Sequence, residues 1–254
     1  MNKIVPQVPY EAKFVEDSYS LFYDEERRLG QTFSLFTILA LLIAAMGLFV
    51  LIVVFCGGFA FSQQNEIIPD LSKVMDTTIW QLFDREIFSD DPVHLGKGDG
   101  DGVLWLKTMS FENGTIDLDI KGRDVRGQSF VGMAFHGLDR NNFDLVYFRP
   151  FNFESSEKKG NSVQYVSLPE FTWQKLRQEH PRVYENEPNP TPDPKEWFHA
   201  TIVVDFPTIK VYINNSNKPS LNIEQLSNRK TGWIGFWVGS NSEGEFKNLR
   251  ITQE

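Results

Sequence analysis

From Trp80 onward the chain is divided into short alternating segments, and this period of two constrains the fold more than any other feature. "GTIDLDIKG", residues 114 to 122, puts Ile116, Leu118 and Ile120 on one face and Thr115, Asp117, Asp119 and Lys121 on the other. Successive side chains of a strand point to opposite sides, so the segment reads as a strand with one dry and one wet face. The texture returns in "GVLWLKTM", "SFVGMAFHG", "FDLVYFRPF", "SVQYVSL", "WFHATIVVD", "TIKVYIN", "GWIGFWVG" and "GEFKNLRIT", separated by Gly, Asn, Asp and Pro. Many short strands at this spacing, with no long helical period, predict an all-β sandwich or barrel. "PEFTWQKLRQEH", Pro169 to His180, is the one helix-like interruption. The proline-dense "ENEPNPTPDPKE" that follows reads as an extended loop.

Thr32 to Phe55 is different in kind: 24 residues without a charge. A helix of that length runs about 36 Å, enough to cross a hydrocarbon core of about 30 Å with some tilt. Arg27 and Arg28 precede the run, and no positive charge follows until Lys73. The positive-inside rule therefore puts the N-terminus in the cytoplasm and the bulk of the chain outside. "AFS", Ala60 to Ser62, offers a small-residue signal-peptidase site. The charged leader ahead of the run is long for a signal peptide, so an uncleaved anchor is expected. Cys56 follows the bulky Phe55, which does not suit lipid attachment. The expected organisation is an amphipathic cytoplasmic helix over 1–31, a transmembrane helix over 32–55, a linker over 56–79 and the β domain over 80–254.

The net charge of -9 argues against nucleic acid as a partner, because phosphate binding needs a basic surface. One cysteine allows no intrachain disulfide, and Cys/His clusters with zinc spacing are absent from the sequence.

The runs "FENGTIDLDIKG", "FVGMAFHG", "FDLVYFRPFNF" and "GWIGFWVGSNSEGEFKNLRIT" resemble the concanavalin A-like lectin and glucanase superfamily over about residues 80 to 254. The last of them is similar to the closing strands of many laminin-G-like and glycosidase-associated jelly rolls. More narrowly, the set resembles bacterial extracytoplasmic domains grouped with the 3-keto-disaccharide hydrolases. The resemblance implies a two-sheet jelly-roll sandwich, here preceded by one N-terminal transmembrane α-helix, and a carbohydrate partner. Residues 18 to 55, with "FYDEERRLGQTFSLF", resemble a transmembrane helix of ABC exporter permeases of the lipoprotein-release and macrolide-efflux type. The other membrane helices of such a permease are missing, so the helix is expected to serve as an anchor.

Glucanases of this fold carry three alternating acidic residues on one strand, and retaining cleavage needs carboxyls about 5–5.5 Å apart. Neighbouring same-face positions on a strand lie roughly 6.5–7 Å apart at the backbone. Here Thr115 and Lys121 flank Asp117 and Asp119, so the third carboxylate is missing and that mechanism is disfavoured. The two aspartates read either as a wet or sugar-facing strand or, with His136 as general base, as acid–base groups. Tyr147 and Arg149 share a face of their strand, and the Arg fork suits sugar hydroxyls or a carboxylate. Trp233 and Trp237, with Gly235 between, offer a tryptophan platform for a sugar or, equally, core filling. Asp99 and Asp101 in "GKGDGDG" resemble part of a calcium loop, without its distal glutamate; a plain glycine-rich turn is the alternative. Asn113 and Asn214 match a glycosylation pattern that matters only in a eukaryotic secretory pathway.

These features combine into an expectation: a carbohydrate-binding domain anchored in the bacterial cytoplasmic membrane and facing the periplasm or exterior. Its groove would gather Asp117, Asp119, His136, Tyr147, Arg149, Trp233 and Trp237. The alternatives are a glycoside hydrolase or lyase of the 3-keto-disaccharide type, and a protein-binding adhesion module.

Overall fold

The computed structural model describes residues 15–57 and 65–253. The chain divides into two compact units, Met1–Phe61 and Ser62–Glu254. In the first, α1 (Val15–Gly57) is one unbroken helix. None of its apolar window within Glu26–Leu51 is buried against protein, and Phe33, Leu35, Leu41 and Phe49 are all exposed. Thr32, Ser34 and Thr37 donate their hydroxyls back to the carbonyls of Arg28, Gly30 and Phe33, each at 2.8 Å. The polar side chains of the run are thus satisfied within the helix, as an apolar surrounding requires. The first part of the amphipathic segment expected over 1–31, and the site at Ala60–Ser62, lie outside the described residues.

The second unit contains β1 (Asn65–Ile67), β2 (Trp80–Phe83), β3 (Ile87–Asp90), β4 (Val93–Leu95), β5 (Gly102–Phe111), β6 (Gly114–Lys121), β7 (Val131–Gly137), β8 (Phe143–Phe148) and β9 (Val163–Leu168). A short helix, α2 (Trp173–Glu179), follows. Then come β10 (Glu185–Asn186), β11 (Phe198–Asp205), β12 (Thr208–Ile213), β13 (Leu221–Glu224), β14 (Gly232–Val238) and β15 (Gly244–Gln253). They form two antiparallel sheets. The first runs β13-β12-β11-β6-β15-β4-β3, with β1 on the end of β15; the second runs β10-β9-β8-β7-β14-β5-β2. This is the two-sheet sandwich that the alternation predicts.

The inner faces make the core. Ile116, Leu118 and Ile120 of β6 face Met133, Phe135, Phe148 and Phe236 of the second sheet, all with no exposed surface. Phe236 stacks on Phe246 at 4.7 Å between centroids and on Trp80 at 5.9 Å. Each such side chain contributes about 1.5–3 kcal/mol by leaving water. Gly114 begins β6 at φ +142, and a Cβ there would lie 1.9 Å from the Thr252 carbonyl oxygen. Only glycine lets β6 and β15 approach so closely at this corner.

The sandwich begins earlier than the expected boundary at Trp80. β1 pairs with Ile251–Gln253 of β15, and Val74 is 3% exposed within the core. Asp70 caps the 3-10 turn Leu71–Lys73 by accepting from the Ser72 backbone N–H. This stretch joins the domain through a three-residue strand and single apolar side chains, too short for a strand period to announce it.

Candidate functional site

The outer face of the second sheet is aromatic and hollow. Leu145 and Tyr147 of β8, Val166 of β9 and Trp237 of β14 point outward there, each at most 5% exposed. They floor a cleft of about 610 Å³, within the roughly 300–1,000 Å³ usual for ligand sites. Tyr147 and Trp237 lie 5.2 Å apart between centroids, and Phe130 meets Tyr147 edge-on at 6.3 Å. Helix α2 forms part of the wall. Thr172 caps it by accepting from the Lys175 backbone N–H, and Leu176 is buried among the outward apolar residues. Trp173 and Arg177, four positions apart on one helical face, reach the cleft, with the guanidinium 5.0 Å from the indole.

Arg149 occupies the polar end of this floor at 5% exposure. Its guanidinium donates to the Tyr147 hydroxyl at 2.5 Å, to Gln164 Oε1 at 3.0 Å and to the Asn161 carbonyl. It also stacks 4.7 Å over the Tyr147 ring. Glu185 takes two hydrogen bonds from Arg177 and lies 4.0 Å from Arg149. Burial pushes the Tyr147 phenol up to about 12, against the pull of Arg149. The hydroxyl therefore accepts from Arg149 and keeps its own proton to donate. Asp101 stands at the rim, open to solvent yet ringed by protein. That desolvation raises its carboxyl above the ordinary value, opposed by Arg85 and the Ser240 backbone N–H.

Asp117 and Asp119 lie elsewhere. β6 belongs to the first sheet, and they point outward from it, alternating with the buried Ile116, Leu118 and Ile120. Thr201 donates to Asp117 Oδ1 at 2.5 Å, and Asn248 donates to Asp119 Oδ2 at 2.6 Å. His199 sits between them, 2.9 Å from Asp119 and 3.4 Å from Asp117. The two aspartates raise the His199 pKa, Asp117 first, outweighing its partial burial. The polar face of β6 belongs to the outer surface of the first sheet, where both aspartates are hydrogen-bonded, and is not part of the cleft.

His136 is separate again. β7 and β8 are neighbours, but the antiparallel register sets Val131 against Phe148 and Phe135 against Asp144. Arg149 and His136 therefore stand at opposite ends of the pair. The His136 backbone at φ +49 breaks the alternation, and the ring packs inside, stacked against the core residue Phe111 at 5.9 Å. It has no exposed surface; its Nε2 lies 2.8 Å from the Glu112 carbonyl and its Nδ1 3.7 Å from Asp144. Asp144 is equally buried and accepts from Tyr165 at 2.7 Å, Ser227 at 2.8 Å and Arg229 at 3.2 Å. Burial alone would raise its carboxyl; His136, Arg229 and the two hydroxyls outweigh it and hold it low. This is a structural polar knot inside the sandwich.

The tryptophan pair does not form a platform. Trp237 lines the cleft, whereas Trp233 packs against Trp105 at 6.3 Å and does not reach it. The gap over Gly235 is filled: a Cβ there would lie 2.5 Å from the Leu104 carbonyl oxygen and 2.9 Å from the Trp105 ring. The loop that carries Asp99 and Asp101 is held by a side chain. Arg85 donates to the carbonyls of Asp99, Gly100 and Gly239 at 3.3, 2.6 and 2.8 Å. These backbone carbonyls are thus engaged by a guanidinium, and among the described residues no group of three or more His, Cys, Asp or Glu could hold an ion.

The family comparison fits this fold. Residues 70–252 match the model of the 3-keto-alpha-glucoside-1,2-lyase-like domain, and the chain belongs to that family. No curated protein matches. Among solved structures, the carbohydrate-binding module CBM66 from Bacillus subtilis is 16% identical with a TM-score of 0.51, covering 68% of this chain and 95% of its own. A Bacillus subtilis protein of unknown function with a galectin-like fold is 15% identical at a TM-score of 0.52, covering 75% and 98%. The VIP36 exoplasmic/lumenal domain in its Ca2+/Man2-bound form is 13% identical at a TM-score of 0.51, covering 74% and 87%. The domain is thus a lectin-type jelly roll.

Proposed function

We propose that the domain binds a saccharide in the cleft on the outer face of the second sheet, and that α1 anchors it to a membrane with the domain outside. The observation that carries the reading is the union, in one hollow, of clustered aromatic rings and fixed donors. Tyr147, Trp237 and Phe130 offer faces for sugar C–H groups, and Tyr147, Arg149 and Arg177 offer hydrogen bonds to hydroxyls. CBM66 is by name a carbohydrate-binding module, and VIP36 holds Man2 on a fold of this kind; both support the reading. The uncharged helix and its upstream Arg27 and Arg28 support the anchor. Glycan-array binding by the full chain in detergent micelles tests it. Binding is expected, and is expected to weaken roughly thirtyfold in Trp237→Ala; a silent array with capture of a defined protein ligand instead would favour an adhesion module.

A second reading is favoured by the family match together with Asp101. A 1,2-elimination on a 3-keto-glucoside removes the C2 proton, acidified by the adjacent ketone, forms the C1–C2 double bond and expels the C1 oxygen, which takes a proton. Asp101 is the carboxyl that lines the cleft, and desolvation raises its pKa above the ordinary value, the direction that favours a carboxyl as a general acid or base. Release of aglycone from a 3-keto-glucoside, lost in Asp101→Asn with saccharide binding kept, would establish the lyase. Binding without turnover would leave a lectin.

A further inference from the structure

We propose that the cleft selects an acidic saccharide, whose anionic group meets the cationic rim at Arg126 and Lys158. The inference rests on the saccharide reading above and names its substrate class.

The chain carries 34 acidic and 25 basic residues, so an average stretch of surface is acidic. The cleft reverses that balance: Arg126, Arg149, Lys158 and Arg177 line it against the single carboxylate Asp101. Asp101 is balanced from behind by Arg85. Glu185 serves two guanidiniums at once, in contact with Arg177 and 4.0 Å from Arg149, which leaves one positive charge over. Among the described residues, neither Arg126 nor Lys158 has a carboxylate within 4 Å. The surplus comes from three separate segments: the loop between β6 and β7, the loop between β8 and β9, and the buried end of β8 with α2.

A neutral sugar does not require this. Hydroxyls are satisfied by neutral donors, and a guanidinium kept at 5% exposure with only a shared carboxylate carries a desolvation cost. A ligand carboxylate or sulfate held by Arg126 and Lys158 would offset the surplus positive charge of the cleft, and the planar fork of Arg matches either group in a paired geometry. The aromatic floor takes the ring while the rim takes the charge, so neither part suffices alone.

The test uses the full chain in detergent micelles on an array with paired glycans. Galacturonate, glucuronate and mannuronate oligosaccharides stand beside their methyl esters, and sulfated oligosaccharides beside desulfated partners. The expected result is that one acidic series binds at least about tenfold tighter than its neutral partner. Which series does so separates carboxylate from sulfate. That preference should shrink between about 0.05 and about 0.5 M salt, and should disappear in the double variant Arg126→Gln, Lys158→Gln. Both positions are on surface loops, and an unchanged Tm confirms the fold. Equal binding of charged and neutral partners, or binding of neutral glycans alone, overturns this inference and leaves the saccharide reading standing. A polyglutamate peptide that competes as well as the best glycan also overturns it. An array with no binding at all overturns both.

Discussion

On the first sheet, Asp117 and Asp119 meet His199, Thr201 and Asn248 at hydrogen-bond distance. On the second, Tyr147 and Trp237 border a hollow that no side chain fills. Both surfaces arise from the outward residues of alternating strands. The first uses short polar groups opposite one another, so each finds a partner across the ladder: His199 is registered against Asp119, and Thr201 against Asp117. The second uses large rings, and its edges are raised by α2 and by loops. What the contrast teaches is that carboxylates mark a site only when the neighbouring strand leaves them unanswered.

Three experiments press on that contrast. The largest effect should come from removing a carboxylate behind each surface. Asp144→Ala strands Arg229 and two hydroxyls inside the second sheet and should cost about 3–5 kcal/mol in urea unfolding. Asp117→Ala, at the half-exposed first face, should cost about 1 kcal/mol or less; similar losses would erase the distinction between knot and surface. Next in size is ligand affinity. Trp237→Ala should weaken saccharide binding by about 2 kcal/mol, roughly thirtyfold in Kd. Asp119→Asn should leave it within about twofold, and a reversal would move the site to the other sheet. The smallest effect is electrostatic. The His199 pKa is raised in the fold, so its contribution is complete below its ordinary value of about 6.5 and is lost as pH rises through the folded value. Asp117 is held low, its burial outweighed by His199 and Thr201. Its contribution is present above about 3.9 and is lost as pH falls through the folded value. His199→Gln should therefore flatten the decline of Tm on the alkaline side of about pH 6.5, a difference under about 1 kcal/mol.

Much of the fold was legible because the alternation of β6 and its counterparts reports which side chains are buried. What alternation cannot report is the sheet that a strand joins. Asp117 and Tyr147 are both outward on their own strands, yet β6 and β8 belong to opposite sheets, so the predicted shared groove divides into two surfaces. His136 escaped because a left-handed backbone turned it inward, which no period reveals. Tyr147, Arg149 and Trp237 stand at positions that strand alternation picks out, and all three line the cleft. Phe130, Arg126 and Lys158 line it from loops, which carry no period. Trp173 and Arg177 did leave a signal, an aromatic and a cation one helical turn apart in "TWQKLRQ".

Arg85 has a consequence for biochemistry at the bench. By clasping the carbonyls of Gly100 and Gly239, it ties together two loops beside the cleft with a cation that the chain encodes for itself. A change of pH within the ordinary range should leave that tie in place, because a guanidinium stays charged. Replacing Arg85 with Met, by contrast, should slacken both loops at once in hydrogen exchange.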